Sequence, residues 1–127
     1  MMPTLSETDR LSLARVVMSL FDSWRLEPSQ QVQLLGLPAS TKPRSLKRYT
    51  EDTPFPQDED LLQRAGCFLS INSALLTTFP HHAAMARHWL NTPNRRFNQV
   101  TPLALMLTGL TGIYQVRGHL DCTENWL

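Results

Sequence analysis

Apolar residues recur along this chain at spacings of three and four, the repeat of an α-helix, and never alternate with polar ones long enough for a strand. Between Leu13 and Trp24 they fall at Leu13, Val16, Val17, Leu20, Phe21 and Trp24, which predicts a first helix with one buried face. Pro28 suits the first turn of a short second helix through Val32, Leu34 and Leu35, and Gly36 suits the left-handed position that ends it. Ser40 or Thr41 is placed to cap a third helix with Pro43 in its first turn, running through Leu46 to about Tyr49.

From Thr50 to Asp60 the periodicity stops. Pro54, Pro56 and five acidic residues predict an extended connection, and Asp58, Glu59 and Asp60 favour the start of the next helix. The domain boundary is expected here, separating an N-terminal helical module at residues 1–53 from a second module at 58–127. Leu61, Ala65, Phe68, Asn72, Leu75 and Phe79 then predict a long fourth helix ended by Pro80. A fifth helix over His81 to Leu90 carries Met85, Ala86, Trp89 and Leu90 on one side, and Asn91-Thr92-Pro93-Asn94 breaks it. Thr101 and Pro102 read as the cap and first residue of a short helix through Leu103, Met106 and Leu107 up to Gly109. The last segment, Leu110 to Leu127, keeps helical spacing at Ile113, Val116 and Leu120. Gly112 and Gly118 each cost such a helix about 1 kcal/mol relative to alanine, so it is expected to rely on packing or a partner. The fold class expected is all-α.

Composition narrows what such a fold can do. A chain of 127 residues, 42% hydrophobic and 18% charged, lies in the globular range and is long enough for one shared core. No run approaches the roughly 20 apolar residues of a membrane-spanning helix, and the opening MMPTLSETDR lacks the pattern of a secretory signal. With two cysteines, Cys67 and Cys122, and no CxxC pair, a cytoplasmic protein with free thiols is expected, without membrane contact. There is no GxSxG elbow, no glycine-rich phosphate loop and no pair of carboxylates within a core helix, so no enzyme and no cofactor is expected. His119 with Cys122, and His81, His82 and His88, lack the two closely spaced pairs of a structural zinc site.

The formal charge of +1 gives no global field, so any nucleic-acid binding must be local. Lys42, Arg44, Lys47 and Arg48 meet no acidic residue between Pro28 and Thr50, and they fall on the third helix of a helix–Gly–helix arrangement. They are candidates for contact with promoter DNA through phosphates and base edges; the alternative is a solvated basic face balanced by the acidic segment after it. The turn from Gly36 is longer than the usual three or four residues and is broken by Pro38 and Pro43. Asn72, in an apolar stripe, is either a register-setting contact across a homodimer or an amide bonded to nearby backbone.

The series His88-Trp89-Leu90-Asn91-Thr92-Pro93-Asn94, then Thr101-Pro102-Leu103-Ala104-Leu105-Met106, then Thr108-Gly109, resembles the toxin-binding domain of the Xre/MbcA/ParS antitoxin family. The resemblance covers about Asp60 to Trp126. It implies an antitoxin partnered with a RES-domain toxin, an enzyme that degrades NAD or transfers from it. The implied toxin-binding residues are Trp89, Leu90, Pro93, Asn94, Pro102, Leu103 and Gly109, with Trp126 and Leu127 in the end that approaches the toxin's NAD pocket. It further implies an N-terminal helix-turn-helix that represses the shared operon. The amount of apolar periodicity in so short a chain leads to a homodimer as the expected assembly. The rival functions are a DNA-binding regulator without a toxin and an oligomeric scaffold.

Overall fold

The computed structural model describes residues 4–125, with side chains through Asp121. Trp126 and Leu127, and the side chain of Cys122, lie outside the described residues. The described chain is helical: α1 (Glu7–Ser23), α2 (Pro28–Leu35), α3 (Pro43–Glu51), α4 (Glu59–Thr78), α5 (Ala83–Leu90), a 3-10 turn η1 (Arg95–Phe97), α6 (Pro102–Leu107) and α7 (Leu110–Asn125). Strand pairing among the described residues amounts to one isolated bridge between Asn94 and Val100. None of the described helices is long and apolar enough to cross a membrane. The chain forms two compact units that divide between Gly66 and Cys67, inside α4, whereas the break in helical pattern lies at residues 53–58.

In the first unit, α1 starts two turns earlier than the apolar spacing alone indicates, because the Ser6 hydroxyl accepts the Asp9 amide and caps it. Ala14, Val17, Met18, Leu20, Phe21 and Trp24 form its buried face. Val16 does not belong to it and is 52% exposed, since it falls beyond the edge of that stripe. α2 has Pro28 at its first position and ends on Gly36, whose φ of 72° is the left-handed region that glycine enters without strain. Arg64 on α4 reaches the Leu34 carbonyl at 3.2 Å and so satisfies one of the free acceptors at that end.

The cap of α3 differs from the expectation of Ser40 or Thr41. It is Lys42, with no side-chain cap, because the residue before a proline is held extended and Pro43 is the first helical residue. The connection from α3 to α4 also differs from a loose extended link. Phe55 is fully buried, meets Tyr49 edge-on at 5.0 Å, and its carbonyl accepts Arg10 Nη1 at 2.9 Å. Asp58 then caps α4, its carboxylate accepting the amides of Asp60 and Leu61.

Along α4 the buried positions are Leu61, Leu62 and Ala65, then Cys67, Phe68, Ile71, Ala74 and Leu75. At 100° per residue the second set is turned by roughly a third of a turn from the first. This corrects the single stripe expected through Asn72 and Phe79, both of which are only half-buried. Solvent reaches Asn72, and its amide carries no burial penalty of the kind a core position would impose.

In the second unit, α5 begins at Ala83 rather than His81, because His81 adopts a φ of 69° and ends the turn after Pro80. Its buried residues are Ala86 and Leu90, while Met85, expected on that face, is 46% exposed. Thr101 caps α6 by accepting the Ala104 amide at 3.0 Å, with Pro102 first in the helix. α6 packs on α7 so closely that Gly112 leaves no room for a side chain: a Cβ there would collide with the Leu105 carbonyl oxygen and stand 2.7 Å from the Thr108 hydroxyl. What composition reads as a weak point in a helix is therefore the place where two helices meet.

Candidate functional site

The candidate DNA-binding residues lie on α3 or, for Lys42, at its N-cap, and packing fixes which way they face. Leu46 is buried, and Arg15 of α1 donates two hydrogen bonds, of 2.9 and 2.6 Å, to the Glu51 carbonyl at the helix C-terminus. Lys42, Arg44, Lys47 and Arg48 are all exposed. None of the four enters an ion pair among the described residues. α2 and α3 are joined through residues 36–42, and a cavity of about 550 Å³ opens there, lined mainly by apolar residues such as Val32, Leu37 and Pro43.

In the second unit the residues after α5 build a compact loop. The Asn91 amide and the Thr92 hydroxyl donate to the carbonyls of Arg87 and His88, closing the helix end at 2.8 and 2.6 Å. Asn94 organises the loop itself: its side-chain oxygen accepts the Arg96 amide at 2.9 Å, its amide donates to the Val100 carbonyl, and its own carbonyl accepts from Phe97 and Gln99. The loop closes only because Asn98 and Gln99 both take left-handed backbone angles, φ 56° and 69°, which non-glycine residues rarely adopt. Arg95 and Arg96 are thereby held exposed at the loop's crest.

The loop meets α7 through aromatic rings. His119 lies parallel to Trp89, with ring centroids 6.3 Å apart and planes 8° apart, and Phe97 meets the same imidazole edge-on at 5.2 Å. Burial, and then the nearby Arg96 guanidinium, lower the His119 pKa from its ordinary value of 6.5, so the neutral ring is favoured. A surface groove of about 590 Å³ runs alongside, with Arg96, Phe97, Val100, Leu105, Gln115 and His119 among its walls.

The candidate residues fall into two groups. Leu90, Pro102 and Leu103 are buried in the unit's own packing, and Gly109 takes a φ of 137° that only glycine reaches easily, at the entry to α7. Trp89 and Asn94 are half-buried and Pro93 is exposed, so these three border the surface. Sequence spacing does not reveal Phe97, Arg96 or the ring stack of His119, because the groove joins residues some twenty positions apart. Among the described residues there is no group of three His, Cys, Asp or Glu arranged to hold a metal.

The second unit thus presents two exposed arginines on a loop whose Phe97 is packed against the His119 ring. Residues 74–124 match the antitoxin Xre/MbcA/ParS C-terminal toxin-binding domain, a family of binding modules and not of enzymes. The chain is also 34% identical over 101 residues to the uncharacterized protein y4oB of Sinorhizobium fredii (strain NBRC 101917 / NGR234), a match that spans 79% of this chain and 74% of that one. The two belong to one family.

Proposed function

We propose that this chain is the antitoxin of a type II toxin–antitoxin pair, that it neutralises a RES-domain, NAD-consuming toxin by direct binding in the cytoplasm, and that it represses its own operon through α3. The observation that carries the reading is the match of residues 74–124 to a toxin-binding domain. Neutralisation of this kind is stoichiometric occlusion. It needs a complementary surface, of the order of 1,600 Å² in total, and no chemistry. The toxin-binding module is residues 58–127. Trp89, Pro93 and Asn94 offer surface, Leu90, Pro102, Leu103 and Gly109 hold the frame that presents it, and Trp126 and Leu127 cover the toxin's NAD pocket. The N-terminal module, residues 1–53, contacts promoter DNA through Lys42, Arg44, Lys47 and Arg48, and two copies pair through apolar helical faces, which the exposure of Val16 and Leu76 supports.

The test is co-expression with a RES-domain protein, sought first in the reading frame beside this gene. The two should purify together, and co-expression should restore growth and suppress NAD loss. A second reading, a DNA-binding regulator without a toxin, is favoured by the unpaired cations of α3. Promoter binding without co-purification or growth rescue would establish it instead.

A further inference from the structure

The acids of the second unit, Asp121 and Glu124, both lie near its C-terminal end. From Cys67 to Leu120 the chain has no Asp or Glu, while Arg87, Arg95, Arg96 and Arg117 lie in that span. Arg117 has Asp121 at 3.7 Å. Arg95 and Arg96 are exposed and enter no ion pair among the described residues. Arg96 forms one wall of the groove whose apolar part includes Phe97, Val100 and Leu105. A Cβ on Gly118, which also borders the groove, would meet nothing within 4 Å, so this wall is open.

We infer that this groove docks an acidic segment of the toxin, with a carboxylate on Arg96 and Arg95 and a neighbouring apolar side chain against Phe97 and Val100. The inference rests on the toxin-binding reading above and names the chemistry of the partner at that site. Arginine pairs with carboxylates through two parallel N–H···O bonds, and arginine and aromatic side chains are the usual anchors of protein interfaces. A groove whose lining holds Arg96 and no acid also speeds encounter with an acidic partner and repels a basic one. The guanidinium beside His119 fits the same picture: it disfavours a charged imidazole, and an arriving carboxylate would remove that penalty. Nucleic acid fits less well, because two adjacent arginines beside an apolar wall do not track a run of phosphates.

The experiment uses the full chain and the RES-domain protein of the co-expression test above, with affinity and association rate measured at low and high salt. R95E/R96E should weaken binding by about tenfold or more at low salt and flatten its salt dependence, R95K/R96K should keep the salt dependence but lose part of the affinity because lysine lacks the fork, and F97A should weaken binding at every salt concentration. The melting temperature of R95E/R96E should match the parent chain, since both side chains are exposed. Unchanged affinity in R95E/R96E, or a wild-type association rate that does not fall with salt, overturns the inference while the toxin-binding reading stands. Failure of the parent chain to bind the toxin at all overturns that reading itself. Loss of duplex DNA binding by R95E/R96E with toxin binding intact would assign the groove to nucleic acid and also overturn the inference.

Discussion

The cations of α3 and the arginines after Pro93 are alike in being exposed and unpaired, yet the chain supports them in opposite ways. Four positive charges sit from Lys42, the N-cap of α3, to Arg48 within that helix, whose end is tied to α1 by Arg15 and which is followed by five acidic residues between Glu51 and Asp60. After Pro93 there are two, on a 3-10 turn shaped by Asn94, with Phe97, His119 and Trp89 in contact beneath and no acid from Leu61 to Leu120. Closely spaced cations on a straight helix suit the repeating phosphates of a duplex. Fewer cations backed by rings suit a protein partner, where a few anchors supply most of the energy. Under the function proposed above the two regions serve different partners, and variants in one should leave the other's partner unaffected.

The largest effect is expected from removing Asn125 to Leu127. Neutralisation should weaken by about 2–4 kcal/mol, the loss of one interface anchor, with promoter binding and melting unchanged. Growth rescue, toxin NAD turnover and a thermal melt check this; full neutralisation by the shortened chain would leave the loop after Pro93 as the toxin contact.

Gly112→Ala comes next. Its Cβ would collide with the Leu105 backbone, so α6 and α7 must separate at a cost of about 1–3 kcal/mol. Gly118→Ala meets open space and should raise stability by about 1 kcal/mol through helix propensity alone. Denaturant melts of the pair give opposite signs if the α6–α7 contact sets the second unit's stability, and Gly112→Ala should impair toxin binding while sparing DNA.

Arg44→Ala with Arg48→Ala should lower promoter affinity and reduce its salt slope by about one unit per lost phosphate contact, with toxin neutralisation intact. Titration at several salt concentrations measures both quantities, and an unchanged slope would make α3 a solvated face.

The smallest effect concerns pH. Because the folded His119 has a lowered pKa, the unfolded chain takes up a proton first as pH falls below 6.5. That residue's contribution therefore declines from about 6.5 downward, and the loss is complete below the depressed folded value. His119→Gln should remove this slope from melts taken between neutral and mildly acidic pH.

Much of this molecule is local and is readable as such. Pro28 and Gly36 bracket α2, Thr101 and Pro102 open α6, and the series from Trp89 to Gly109 carries the family pattern, because caps, turns and short motifs depend on residues within a few positions of one another. The site is different in kind. Spacing puts Asn72 in a buried stripe, but the buried side of α4 shifts partway along the helix, and no spacing rule applied to one helix can show which side its surroundings cover. Phe55 sits among prolines and acids that suggest an open link, yet it is fully buried against partners that local periodicity does not identify. His119 has the spacing of half a metal pair with Cys122, whereas its ring is stacked on Trp89, thirty positions earlier. Spacing along the chain determined the helices and their ends. Which faces are covered, which rings meet and where the groove opens depend on contacts between residues far apart in sequence, and only the packed structure decides those.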